Sequence, residues 1–174
     1  MNGIMPADNE SLLAETTIAD LILWHDMHRL QERYVSVIDS GRLEEWPDLF
    51  TEDGVYEIVP KENADLGLSI GIMHCFGRPM MRDRIVSLRN ANVFEPHAYR
   101  HMTSGLEFTP VDPDTVDVQL NYVVVQTLSD GESRAYKAGR YFDRVVRTSQ
   151  GWRYQCKKAI YDTSRVQTLL VTPV

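Results

Sequence analysis

Between Thr17 and Gly41 the apolar positions keep a helical period. Leu23, Met27, Leu30, Tyr34 and Val37/Ile38 follow one another at spacings of 4, 3, 4 and 3 or 4, which is the buried stripe of an amphipathic helix. Thr17 followed by Asp20 predicts a capping box with aspartate in the usual place of glutamate. Gly41 predicts the stop, because glycine takes the left-handed conformation at a helix end without steric cost. A second, short helix is predicted over Arg42 to Phe50, with Leu43, Trp46 and Leu49/Phe50 facing one way and Glu44 and Glu45 at its favoured N-terminal end. Thr51 to Gly54 reads as a turn, Val55 to Val59 as a strand ended by Pro60, Lys61 to Asp65 as a polar loop, and Gly67 to His74 as a glycine-rich strand. Pro79 fits the first position of a helix running to about Ala91. Met81, Ile85 and Leu88 mark its inner face, and Arg82, Arg84 and Arg89 the other.

From His97 the period changes to two. In Thr115 to Leu128, the residues Val116, Val118, Leu120, Tyr122 and Val124 alternate with Asp117, Gln119 and Asn121, the signature of a half-buried strand. Tyr99 to Phe108, Ser133 to Arg147 and Trp152 to about Ser164 read as further strands. Turns fall at Val111–Asp114, Ser129–Gly131 and Thr148–Gly151. The last nine residues, from Val166, are apolar enough to dock on the fold. Helices first and long antiparallel strands afterwards predict an α+β domain. A strongly curved antiparallel sheet wrapped over the N-terminal helices buries the helix stripe and one face of each strand, which is the cone of the nuclear-transport-factor-2-like (SnoaL-like) fold. Residues 1–15 are polar and without period and are expected to form a flexible arm; residues 16–174 are expected to form a single domain.

Composition narrows the function classes. The formal net charge of −7 argues against nucleic acid as a partner. No run approaches the roughly 18 apolar residues of a membrane span. The N-terminal stretch lacks the basic and apolar regions of a signal peptide, so a cytoplasmic protein is expected. The two cysteines, Cys75 and Cys156, form neither a disulfide framework nor a paired motif. Charge is unevenly spread. Residues 1–65 carry 15 acidic and 4 basic side chains, whereas residues 132–158 carry 8 basic ones against Glu132 and Asp143. The two ends are expected to neutralise each other across the fold, or else to present a charged docking face.

Candidate chemistry is sparse. His25 and His28 share a helix face but find no third ligand at a recognised spacing. His74 and Cys75 are neighbours on a strand and point to opposite faces. His97 and His101 lie roughly 13 Å apart along a strand, too far for one metal. Asp53 is explained by its turn, Asp83 lies among arginines, and Asp143, between Tyr141 and Val145, is expected to pair with a nearby basic residue. A nucleophile elbow, a phosphate-binding glycine loop and a zinc-ligand set are all missing.

The motifs in order say more. Tyr34, Ile38-Asp39, Trp46-Pro47-Asp48-Leu49-Phe50-Thr51-Glu52-Asp53 and Tyr56 resemble the opening of the small (β) subunits of aromatic-ring-hydroxylating dioxygenases. Met81-Arg82-Asp83-Arg84-Ile85 with Leu88 resembles their second segment, and Arg100-His101 a third. Gly139 to Asp143, Trp152-Arg153-Tyr154 and Ala159-Ile160-Tyr161-Asp162 resemble their closing strands. The segment from Ile85 to His101 is most similar to small subunits paired with oxygenases for aromatic carboxylates of the terephthalate, anthranilate or salicylate type. The resemblance implies a non-catalytic, structural subunit. Its large (α) partner would carry a Rieske [2Fe-2S] cluster and a mononuclear Fe(II), usually with three copies of each subunit. A reductase, sometimes with a ferredoxin, would supply NADH-derived electrons. No catalytic, metal or cofactor residue is expected in this chain. Arg100, His101 and Arg140 are the candidates for subunit contact.

The alternative is a free-standing dehydratase, cyclase or isomerase of the same fold, using a His/Asp pair in the cone beside Tyr34, Trp46 and Tyr56. A ligand-binding module without catalysis is a third reading. A cone packed with side chains would weigh against the enzyme reading.

Overall fold

The computed structural model describes residues 16–68, 70–91, 96–162 and 172–174. The expected arm at 1–15 and most of the expected docked tail lie outside these residues. The first helix, α1, spans Ile18–Asp39. It begins with the expected capping box: the Thr17 hydroxyl accepts from the Asp20 amide, and the Asp20 carboxylate accepts from the Thr17 amide. It ends in a Schellman motif. The Gly41 amide donates to the Ile38 carbonyl and the Arg42 amide to the Val37 carbonyl, with Gly41 at φ +70°.

Leu43–Leu49 follows as a 3-10 helix holding Pro47. Then β1 runs Phe50–Pro60, so the expected turn at Thr51–Gly54 is instead a bulge inside a continuous strand. Phe50 pairs with Tyr154, and the next pair is Val55 with Cys156. The extra β1 residues loop out, and Gly54 lets the chain close back. A Cβ there would sit 2.9 Å from the Phe50 Cβ and 3.1 Å from the Tyr154 carbonyl oxygen. Lys61–Asp65 is a short helix, α2, rather than a loop. Lys61 pairs with Asp65 one turn on, the spacing that favours a helix. The strand expected over Gly67 to His74 is shorter and later: β2 is Met73–Phe76. A Cβ on Gly71 would meet the Ile58 carbonyl oxygen at 2.3 Å, and the Ile72 amide donates to that same carbonyl. Helix α3 spans Gly77–Asn90, which places Pro79 two residues inside its start.

The long strands are β3 (His97–Asp112), β4 (Thr115–Leu128), β5 (Ser133–Thr148) and β6 (Gly151–Tyr161). They form one open six-stranded sheet in the order β2-β1-β6-β5-β4-β3, antiparallel except for the parallel β1–β6 pair. Its concave face packs on α1. Met27, Leu30, Tyr34 and Val37 meet the inward residues of the strands, among them Tyr56, Val118, Leu120, Tyr122, Val124, Tyr141 and Tyr154, in one apolar cluster. The 3-10 helix adds Trp46 to that cluster, stacked edge-on to Phe50 and Tyr56. The same cluster takes in Met81, Ile85 and Leu88 of α3.

Candidate functional site

Three polar side chains sit at core positions on separate elements. Gln31 lies in the buried stripe of α1, and Asp143 and Lys157 are a cross-strand pair on the inward face of β5 and β6. Lys157 donates to Asp143 at 2.9 Å and to Gln31 at 3.0 Å, and Gln31 donates to Asp143 at 2.6 Å. Burial pushes the Asp143 carboxyl up and the Lys157 ammonium down, each opposed by the other's charge. The Lys157 ammonium also faces the rings of Tyr141, Tyr34 and Tyr154 at 3.9, 4.4 and 4.7 Å. The expectation that Asp143 pairs with a basic residue is met, and Gln31 is the member the sequence reading did not single out. Its signal was its polarity within an otherwise apolar stripe.

Tyr34 and Tyr56 meet at the centre of the concave face, their hydroxyls 3.2 Å apart. Both donate to the main-chain oxygen of Val174, at 2.6 and 2.7 Å, and the Tyr56 hydroxyl accepts from the Val174 amide at 2.9 Å. Val174 is fully buried. Thus the last residue of the sequence fills the middle of the cone.

The third place is the end of α1 against β3. His101 and its neighbour Arg100 were contact candidates. The His101 ring is fully buried and its Nδ1 lies 2.6 Å from Asp39 Oδ1, while its amide donates to Asp39 Oδ2 at 2.9 Å. A histidine–carboxylate pair of the kind the enzyme reading requires is therefore present, in a cone otherwise packed with aromatic side chains. Arg100 is exposed and donates to the carbonyls of Asp39 and Tyr99. Arg140 is exposed on the convex face, beside a groove of ≈ 570 Å³ that also touches Asp65, Asn121 and Asp162. An adjoining groove of ≈ 790 Å³ runs past Glu107, Asp117, Phe142, Arg144 and Lys158.

The remaining candidates are dispersed. His25 and His28 lie exposed on α1, the latter stacked on Trp24. His74 faces outward to Glu57, and Cys75 faces the core beside Tyr56, as their alternation required. Cys75 and Cys156 flank β1 on its two sides and point to opposite faces. They cannot supply the two thiolates of one Rieske cluster. Among the described residues no group of three or more His, Cys, Asp or Glu is placed to hold a metal ion. No described helix is long and apolar enough to cross a membrane.

The acidic and basic ends of the chain neutralise each other only in part. In the acidic first third, Arg89 of α3 pairs with Glu44 and Arg78 and Arg82 lie near Asp48, while Glu45 and Asp65 pair locally with Arg42 and Lys61. The basic strands are met mostly by carboxylates of their own half, Arg144 by Asp117 and Arg147 by Asp114, with Lys158–Glu57 a link between the ends.

This open, curled α+β sheet with a helix in its concavity is a SnoaL-like, nuclear-transport-factor-2-like domain, and the SnoaL-like domain family matches residues 20–156. The chain is 58% identical over 160 residues to the anthranilate 1,2-dioxygenase small subunit of Burkholderia cepacia, covering 92% of this chain and 99% of the relative. It is 31% identical over 141 residues to the terephthalate 1,2-dioxygenase terminal oxygenase component subunit beta 2 of Comamonas sp, covering 81% and 92%. A crystal structure of a beta subunit assigned to an aromatic-ring-hydroxylating dioxygenase of Novosphingobium aromaticivorans superposes with a TM-score of 0.82 at 38% identity, covering 90% of this chain and 99% of that one. The chain belongs to the small subunits of aromatic-ring-hydroxylating dioxygenases.

Proposed function

We propose that this chain is the structural small subunit of an oxygenase that dihydroxylates an aromatic carboxylate, and that it works in the cytoplasm. The observation that carries this reading is the 58% identity to an anthranilate 1,2-dioxygenase small subunit across nearly the whole of both chains. A large subunit supplies the Rieske cluster and the mononuclear iron, and the assembly holds three copies of each. Electrons arrive from NADH through a reductase. The small subunit contributes rigidity: a packed cone with a buried ion pair, and exposed Arg100 and Arg140 for the contact. His101 acts through Asp39, holding the end of α1 beside Arg100.

The free-standing enzyme reading rests on the Asp39–His101 pair, but its relatives are subunits of multicomponent oxygenases. Co-expression with the large subunit of an anthranilate-type oxygenase, followed by sizing, iron analysis and turnover, is the test. The expected outcome is a joint complex that contains iron and hydroxylates an aromatic acid, and a single chain that does neither. Turnover by the single chain would overturn the proposal.

A further inference from the structure

Where the 3-10 helix hands over to β1, three arginines from three elements come together. Arg33 belongs to α1, Arg78 to the first turn of α3 and Arg153 to β6. Arg78 is mostly buried and donates to the Phe50 carbonyl, through Nε at 2.9 Å and also through Nη2. Phe50 is the β1 residue that pairs with Tyr154, the neighbour of Arg153. Arg153 is half-buried. Its Nη1 donates to the Trp152 carbonyl at 2.8 Å, and its Nε is buried without a hydrogen-bond partner among the described residues. Burial, and after it the charges of Arg78 and Arg33, press the Arg153 pKa below its ordinary value, while Asp48 acts the other way.

The carboxylates at this corner do not balance it. Asp48 and Glu52 each approach Arg78 only to 3.7 Å, beyond hydrogen-bond distance, and Asp48 is shared with Arg82 at 3.8 Å. Both acids are largely exposed, at 67% and 73%, so water screens much of what they contribute. Arg33, Arg78, Arg82 and Arg153, four positive charges, thus face two carboxylates, in a chain whose formal net charge is −7. Gathered like charges with reduced solvation are costly without a counter-charge, and the unpartnered Arg153 Nε marks a missing acceptor. The rim of the corner is apolar: Phe76 and Met80, on either side of Arg78 in the sequence, are exposed. Arginine, phenylalanine and methionine are side chains enriched at protein interfaces.

We propose that this corner is a second contact with the large subunit, in which an aspartate or glutamate of that subunit enters among Arg33, Arg78 and Arg153 while Phe76 and Met80 pack beside it. A guanidinium fork suits a carboxylate, which it can hold through two parallel hydrogen bonds. Arg33, Asp48 and Glu52 stand exposed around the corner, so a free anion would be held against solvent screening. A carboxylate carried by a protein escapes that limit, because the surrounding contact brings it there and excludes water. The inference rests on the small-subunit reading, which supplies the partner, and it adds to the contact at Arg100 and Arg140 rather than replacing it.

The test measures the affinity of the full chain for the large subunit of an anthranilate-type oxygenase. The parent chain comes first: its failure to assemble overturns the small-subunit reading, and this inference with it. Once the parent assembles, the variants bear on the corner alone. Arg33→Glu removes no hydrogen bond seen among the described residues. It is expected to keep the melting temperature of the isolated chain and to weaken assembly about tenfold or more, with Arg33→Gln in between. The parent affinity is expected to fall more steeply with salt than that of Arg33→Glu. Arg153→Glu is expected to weaken assembly further. The decision does not hang on its folding, because Arg33→Glu assembling at the parent affinity is enough to overturn the proposal. Two other occupants have their own signatures, and either one overturns it. A saturable rise in the melting temperature of the isolated chain with inorganic phosphate, abolished by Arg153→Gln, gives the corner to a free anion. Self-association of the isolated chain that Arg33→Glu abolishes gives it to a second copy.

Discussion

At the scale of single residues, the Gln31–Asp143–Lys157 cluster sets the largest local energies. Lys157 and Asp143 are fully buried and in contact, so removing one charge strands the other without water. Lys157→Met is expected to cost about 3–5 kcal/mol in urea denaturation, and adding Asp143→Leu is expected to recover most of that loss. A double variant no more stable than the single one would show that the pair itself, not the stranded charge, carries the stability. The buried phenols give a second expectation. Burial raises the pKa of Tyr34, Tyr122, Tyr141 and Tyr154 above the ordinary 10.0, as it does for Tyr56. It also pushes the Cys75 thiol from 9.0 up to about 11. Each of these groups keeps its proton in the folded chain at a pH where the unfolded chain has lost it. The unfolded state therefore binds fewer protons at high pH, and stability falls as pH rises. The contribution is whole below pH 9, declines first through Cys75, and declines steeply above pH 10 as the tyrosines join. Urea midpoints measured from neutral to alkaline pH should follow that course, with phenolate absorbance rising together with unfolding. Phenolate appearing while the fold persists would contradict the burial.

At the scale of elements, period and caps were legible and chain reversals were not. The Thr17 box, the Gly41 stop, the α1 stripe and the bounds of β4 follow from short-range chemistry, and the structure has them where the residues put them. Thr17→Ala is expected to cost about 1 kcal/mol, the usual worth of an N-cap, read as a lower urea midpoint. The Thr51–Gly54 stretch reads as a turn because Asp and Gly suit turns. It is a bulge because Phe50 and Val55 both pair with β6, a strand about a hundred residues away in sequence. The partner and register of a strand are tertiary facts, and local composition does not hold them. Likewise the inward phase of Asp143 could be read from alternation, but Lys157 and Gln31 as its partners could not. Close backbone approaches make a third expectation. A Cβ on Gly139 would lie 1.9 Å from the Ile160 carbonyl oxygen, and one on Gly54 would lie 2.9 Å from the Phe50 Cβ. Gly54→Ala is expected to cost about 1–3 kcal/mol, the range for overpacking, and Gly139→Ala more, since two strand backbones must part. Equal stability of Gly139→Ala and the parent chain would refute the β5–β6 geometry.

At the scale of the whole molecule, the division of charge points to where a partner docks. Glu44, Asp48 and Glu52 of the first third face the arginines of α3, Glu45 and Asp65 pair with Arg42 and Lys61, and Arg144 is engaged by Asp117 in a two-pronged pair. Such exposed pairs contribute little to stability, yet they leave few uncommitted cations on the convex face. Arg140 is one: exposed, beside the groove at Asn121 and Asp162, and without an ion-pair partner among the described residues. Arg100 is half committed, since its bonds go to backbone carbonyls rather than to a carboxylate. A carboxylate on the large subunit would meet either arginine without disturbing the fold of the small one. Arg140→Glu should therefore leave the melting temperature of the isolated chain nearly unchanged, because exposed substitutions usually stay within about 0.5 kcal/mol. The same substitution should slow association with the large subunit and release it at lower salt, since a rim charge acts on encounter and on screening more than on packing. Arg100→Glu should do likewise and also loosen the α1–β3 junction slightly. A complex that forms at the parent rate and survives the same salt with both substitutions in place would move the contact away from Arg140 and Arg100. The exposed apolar stretch of Leu66, Ile70 and Phe76 beside β2 would then be the next surface to substitute.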